Sequence, residues 1–92
     1  SYWVLMSNYR WKITQDYIDA DDLEHSAVGV EGPYGLDETL KTNPTSFSMY
    51  DDDQECYYEG MIYGDFTGFE PLDDFGTPNA GCSMIKIDGR FL

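Results

Sequence analysis

Tyr9-Arg10-Trp11-Lys12-Ile13-Thr14 alternates apolar and polar side chains. That period of two belongs to a strand with one face buried, because a helix would scatter the three apolar residues around its circumference. The same period returns in residues 45–50, where Phe47 and Met49 face one way. It returns again in 83–88, where Ile85 and Ile87 oppose Met84 and Lys86. Between 45–50 and the apolar, tyrosine-rich stretch 55–63 stands Asp51-Asp52-Asp53-Gln54, a turn sequence, so these two segments predict a hairpin. A chain punctuated this way is expected to form a mostly antiparallel sheet of four or five strands.

The intervening segments predict the remainder of an α+β fold with one or two short helices. Thr14 or Asp16 can cap a helical turn over 16–23, with Tyr17, Ile18 and Leu23 turned inward. Val28 and Val30 share a face of an expected strand over 27–30, and Glu31-Gly32-Pro33-Tyr34-Gly35 ends it. Residues 36–41 predict a second helical turn capped by Asp37. Asn43-Pro44 stops it, since a residue ahead of proline avoids the helical region. Residues 66–80 hold two prolines, two glycines and Asp73-Asp74, and read as a long ordered loop pinned by Phe66, Phe69, Leu72 and Phe75. Ser1 to Leu5 admit two readings: a sequence appended ahead of a start at Met6-Ser7-Asn8, or part of a first strand.

Ninety-two residues fit one domain, 1–92, whose core is thin because a chain this short buries only about 60–65% of its unfolded surface. Aliphatic residues are sparse, but eight Tyr, five Phe and two Trp can supply that core, since each buried ring removes about 150–250 Å² from water. Trp11, Phe47, Tyr57, Phe66, Phe69 and Phe75 are expected inside. This aromatic content also separates the chain from disordered acidic tails. With eighteen acidic residues against five basic ones, the net charge is −13. A surface so negative argues against direct binding of nucleic acid or anionic lipid, both of which need cations to meet phosphates. The basic residues are Arg10, Lys12, Lys41, Lys86 and Arg90, so 13–40 and 42–85 contain none. If the terminal segments pair, Arg10, Lys12 and Lys86 form one mixed-charge face and leave the rest anionic.

Cys56 and Cys82 lie too far apart in sequence for a metal knuckle or a Cys-x-x-Cys redox pair. Two buried thiols in a cytoplasmic protein are the expectation, with a single disulfide as the alternative. There is no apolar run of about 18 residues such as a membrane-spanning helix needs.

Motifs with chemical meaning fail one after another. Asp51-x-Asp53-x-Glu55 opens like an EF-hand calcium loop, but Cys56 stands where the loop needs glycine and Ile62 where it needs the bidentate glutamate. His25 is the only histidine and has no second ligand beside it in sequence. A Cys56–His25 nucleophile and base would need a positive environment to hold a thiolate, and the local charge is negative. Asp74-Phe75-Gly76 copies a kinase tripeptide without any other kinase motif. Gly29, Gly32 and Gly35 resemble a phosphate loop but lack a following lysine and include Glu31. Paired carboxylates for glycoside hydrolysis need a cleft that so thin a core barely frames. No catalytic residue, cofactor or metal site is therefore assigned. What remains is acid beside aromatic: Asp51, Asp52, Asp53, Glu55 and Tyr58 in the hairpin, with Asp73 and Asp74 in the loop. On a regular strand Tyr57 and Tyr58 point to opposite faces, so one of them is expected outside, and Tyr58 is assigned to the binding set. Tyrosine flanked by acids makes a specific surface for a basic protein.

Residues 11–92 resemble a group of small uncharacterised bacterial proteins. The resemblance rests on Trp11-Lys12-Ile13-Thr14 with Asp16, Gly29-Val30-Glu31-Gly32-Pro33, and Tyr50-Asp51-Asp52-Asp53 with Tyr57-Tyr58-Glu59-Gly60. It continues in Pro71-Leu72-Asp73-Asp74-Phe75-Gly76-Thr77-Pro78-Asn79-Ala80-Gly81. Gln54 stands where the group has glycine. The resemblance implies no activity. In size and acidity alone the chain is also similar to phage-encoded inhibitors such as anti-CRISPR proteins and to integron-cassette proteins. The expected function is a non-enzymatic acidic module engaging a basic protein, in one form by imitating nucleic acid. The alternatives are a small-ligand or calcium-binding protein using 66–80, and a homodimer joined by a sheet edge or aromatic patch.

Overall fold

The computed structural model describes residues 9–33 and 43–92. The expected helical turn over 36–41 lies outside these, as do Ser1 to Leu5 and Lys41. The described residues form a six-stranded antiparallel sheet: β1 (Tyr9–Asp16), β2 (Glu31–Gly32), β3 (Thr45–Tyr50), β4 (Cys56–Gly64), β5 (Met84–Ile87) and β6 (Arg90–Phe91). Their spatial order is β2-β1-β4-β3-β5-β6. The expected architecture, sheet with short helix, holds in outline. The strand count rises to six because two-residue segments, β2 and β6, pair at the two edges.

One face of the sheet carries the core. Trp11 and Ile13 pair with Ile62 and Gly60, and Phe47 and Met49 pair with Gly60 and Tyr58 on one side and with Ile87 and Ile85 on the other. Trp11, Ile13, Phe47, Met49, Tyr58, Ile62 and Ile85 are all buried. Gly60 is required at the centre, since a Cβ there would run into the Lys12 carbonyl and the Phe47 ring.

Covering this face is the segment expected as a loop. It folds instead as a π-helical turn, Leu72–Gly76, running into a short helix, α1 (Thr77–Ala80). Glu70 begins it by accepting hydrogen bonds from the Thr67 and Gly68 amides at 2.6 and 2.7 Å. Burial pushes the Glu70 carboxyl up, but those amides outweigh burial and hold it below the ordinary range. Asp74 accepts from the Tyr9 hydroxyl at 2.8 Å and from the Trp11 indole at 3.0 Å. Phe75 packs on Trp11 and Tyr58, with ring centroids 5.6 and 5.1 Å away. Gly81, in the left-handed region at φ 70°, ends the helix. Phe69, expected among the pins, is 45% exposed.

The connection 17–30 also departs from expectation. Asp16 does cap a turn, accepting from the Ile18 and Asp19 amides, but its second oxygen accepts from Ala27 at 2.8 Å and folds the chain back on itself. With Asp19, Asp21, Asp22 and Glu24 repelling one another along it, the turn does not propagate into a helix. Tyr17, Ile18 and Leu23 therefore stay exposed. Val28 and Gly29 turn rather than extend, leaving Val28 and Val30 outside, and the strand that does form is β2.

The other sheet face carries Lys12, Met61 and Ser46 in one row of register, and Glu59, Ser48 and Lys86 in another. Lys12 and Lys86 thus share a face as expected, but β4 and β3 stand between their strands. Arg10 is buried, with a guanidinium N–H donated to the Tyr9 carbonyl at 2.7 Å. No helix among the described residues is long and apolar enough to cross a membrane.

Candidate functional site

The hairpin turn owes its shape to Asp51. Its carboxylate accepts from the Asp53 and Glu55 amides at 2.8 and 2.9 Å, and its carbonyl accepts from Gln54 at 3.0 Å. The Glu55 amide, against the opposing effect of desolvation and with help from the Tyr57 hydroxyl and the Asp53 amide, holds the Asp51 carboxyl below the usual carboxylate range. Asp52 accepts from the Ser83 hydroxyl, tying the turn to the approach of β5. Asp53 and Glu55 project into solvent.

Just past the turn the ladder contains a bulge: Met49 pairs with Tyr58 but Tyr50 pairs with Cys56, so Tyr57 is the extra residue. Tyr58 keeps the regular alternation with Gly60 and Ile62 and so faces the core opposite Met49, against the expectation of its exposure, while the bulge uncouples the facing of Tyr57 from it. Tyr58 is buried, and burial followed by the Asp16 charge pushes its phenol up to about 12. Tyr57 is half-buried against the core, with its hydroxyl on Asp51. Tyr58 therefore leaves the set of surface residues.

The two aspartate runs do not meet. Asp51, Asp52, Asp53 and Glu55 lie at the end of the sheet where β1 finishes, because Asp16 pairs with Tyr58. Asp74 is committed to Tyr9 and Trp11 near the start of β1, and Asp73 stands exposed beside it. What the turn meets instead is the connection 17–30. The Tyr17 amide donates to the Tyr57 carbonyl at 2.9 Å, and between the two segments lies a groove of about 590 Å³. Tyr17, Ile18 and Asp19 form one wall, residues 55–58 the floor, and Asn79 and Ala80 the wall contributed by α1. Tyr17 and Ile18 are 49% and 47% exposed. Among the described residues, no basic side chain lines the groove. Farther along the connection, Asp21, Asp22 and Glu24 are exposed, and Asp22 pairs with His25 at 2.7 Å.

Sequence reasoning missed Tyr17, Ile18 and Asp19 because it placed them on a helix. The available signal was the density of acids in 16–24, which disfavours a helix too short to be held by its own hydrogen bonds.

The cysteines are free thiols. Burial and then the Glu59 charge push the Cys56 thiol up, and burial with Asp51 and Cys56 pushes Cys82 up to about 11. Neither is a poised nucleophile. Among the described residues, no group of three His, Cys, Asp or Glu side chains is arranged to hold a metal ion. Comparison with known protein families, characterised proteins and solved structures gives no match.

Proposed function

We propose that the chain is a non-enzymatic acidic module whose groove between the connection 17–30 and the β3–β4 turn docks one basic segment of a partner protein. The observation that carries this reading is the composition of the groove: an exposed aromatic and an exposed aliphatic side chain, Tyr17 and Ile18, between Asp19 and Glu55, with no cation among the described lining residues. Apolar anchors give such a contact its affinity, and the surrounding carboxylates select and steer a cationic partner. Imitation of a nucleic-acid strand is less well supported, because Asp73 and Asp74 lie away from the turn and Asp74 is spent on Tyr9 and Trp11. The small-ligand reading of 66–80 is less well supported, because Leu72 and Phe75 of that segment pack into the core against the sheet.

The test is titration with two labelled peptides, one alternating Lys with Leu and one alternating Lys with Ser. The Lys-Leu peptide is expected to bind more tightly. Its affinity should fall about tenfold or more between about 50 and 300 mM salt, since exposed charge pairs are screened over this range. Tyr17→Ala with Ile18→Ser should remove the preference for leucine while leaving the salt dependence. Equal affinity for both peptides, or affinity indifferent to salt, overturns the reading.

A further inference from the structure

The face of the sheet opposite the core holds a second concavity, of about 360 Å³, near the lower end of the size range of small-molecule sites, about 300–1,000 Å³. Its lining differs from the groove's. Thr14, Ser46, Ser48 and Tyr50 supply hydroxyls, and two opposite charges, Glu59 and Lys86, stand on either side. Register fixes their spacing: Ser48 is directly opposite Glu59 on β4 and Lys86 on β5. The two charged residues are therefore two strand spacings apart, about 10 Å between backbones.

They do not neutralise each other. Lys86 makes no ion pair among the described residues, and its ammonium lies over the rings of Tyr50 and Phe91, 5.2 and 4.7 Å from their centroids. Those rings pack edge to face on each other at 5.2 Å, so the ammonium rests on an ordered platform. Glu59 is exposed, with Tyr17 near it. Between the charges, the Ser48 and Tyr50 hydroxyls are 2.9 Å apart, a pair able to donate to a bound oxygen.

The charge of the whole chain narrows the ligand. A net anion would approach Lys86 against a charge of −13, and a net cation drawn by that field would meet Lys86 inside the site. A zwitterion carries no net charge against the field and offers one group to each side. We infer that the concavity on the sheet face opposite the core binds a small zwitterion, a free α-amino acid or a dipeptide, with its carboxylate toward Lys86, Ser48 and Tyr50 and its ammonium toward Glu59.

Amide NMR titration of the intact chain tests this with glycine, L-serine, L-leucine and glycylglycine as probes. Each is matched by its amide, which keeps only the ammonium, and its N-acetyl form, which keeps only the carboxylate. Saturable shifts at Ser46, Ser48, Lys86 and Gly89 are expected with at least one zwitterion, and its single-charge forms should bind at least about tenfold more weakly. Whether glycine or glycylglycine binds more tightly tells amino acid from dipeptide. In Glu59→Gln the N-acetyl form should gain on the zwitterion, and in Lys86→Met the amide should. The comparison of charge-blocked probes uses the unaltered chain and does not depend on how well the variants fold. No saturable shift with any zwitterion at about 20 mM, a concentration far above ordinary small-ligand affinities, overturns the inference, as does equal binding of the charge-blocked forms.

Discussion

Tyr9 and Tyr58 both sit where a phenolate is unwelcome. Burial and then the Asp74 carboxylate push the Tyr9 phenol up to about 12, and burial with Asp16 does the same for Tyr58. In the unfolded chain both titrate near the ordinary value of about 10. Between these limits the folded chain binds protons that the unfolded chain has released, so stability falls as pH rises. The contribution is whole below about pH 10 and is lost as pH passes through about 12. Urea unfolding at stepped alkaline pH should show this decline, and ultraviolet titration should show Tyr9 and Tyr58 among the late-ionising tyrosines. Asp74→Asn should bring one of the two down, because it removes the charge beside Tyr9 while keeping an acceptor for Trp11. If all tyrosines ionise together near pH 10, the packing assigned to both rings is wrong. None of this was legible in spacing alone. Alternation placed Trp11, Ile13, Phe47 and Met49 correctly, but it says nothing of the bulge that makes Tyr57 the extra residue. One unpaired residue reverses every inference about faces beyond it.

At the level of elements, the central hairpin was legible because local and non-local signals agree there. Alternating residues in β3 face the core, and an aspartate at the turn can bond its own backbone. The segment 66–80 looked like a loop because prolines and glycines usually break structure. Here Pro71 precedes the π-helical turn, Pro78 lies in the first turn of α1, and Gly81 takes the left-handed cap. These are positions where such residues favour a helix. What remained invisible was the partner that makes so short a helix stable, the sheet face formed by strands far away in sequence. Close approach between these layers and strands is tight at Gly60. A methyl group there meets the Lys12 carbonyl, which is fixed by the ladder, as well as the Phe47 ring. Gly60→Ala is therefore expected to cost about 3 kcal/mol, at the upper end for overpacking. Urea unfolding would measure it, with the slope against denaturant unchanged. A loss below about 0.5 kcal/mol, ordinary for a surface substitution, would mean that β4 can shift away from β1.

For the molecule as a whole, the question is what so much negative charge does when the acids are neither evenly spread nor gathered in one place. Several carboxylates have structural duties: Asp16, Asp51, Glu70 and Asp74 each accept hydrogen bonds that shape the chain. Asp21, Asp22, Glu24, Asp53 and Glu55 are exposed to solvent, in the connection 17–30 and the β3–β4 turn at one end of the sheet. The sequence could report the number of acids but not this division of labour, which depends on which backbone amides the fold leaves without partners. Repulsion among the solvent-facing acids opposes folding and weakens when salt shortens its range from about 30 Å at 0.01 M to about 8 Å at 0.15 M. The melting temperature should accordingly rise by a few degrees over that interval, comparable to a gain of about 1 kcal/mol. Asp53 lets the cause be isolated, because it is exposed and its carboxylate makes no hydrogen bond that shapes the turn, where only its amide is used. Asp53→Lys should raise the melting temperature at low salt and lose most of that advantage at 0.15 M. A rise that persists at the higher salt would point to a local effect on the turn. No rise at either would mean that the acids at this end are too well hydrated to repel one another, and the cationic partner proposed for the groove would then have little field to follow.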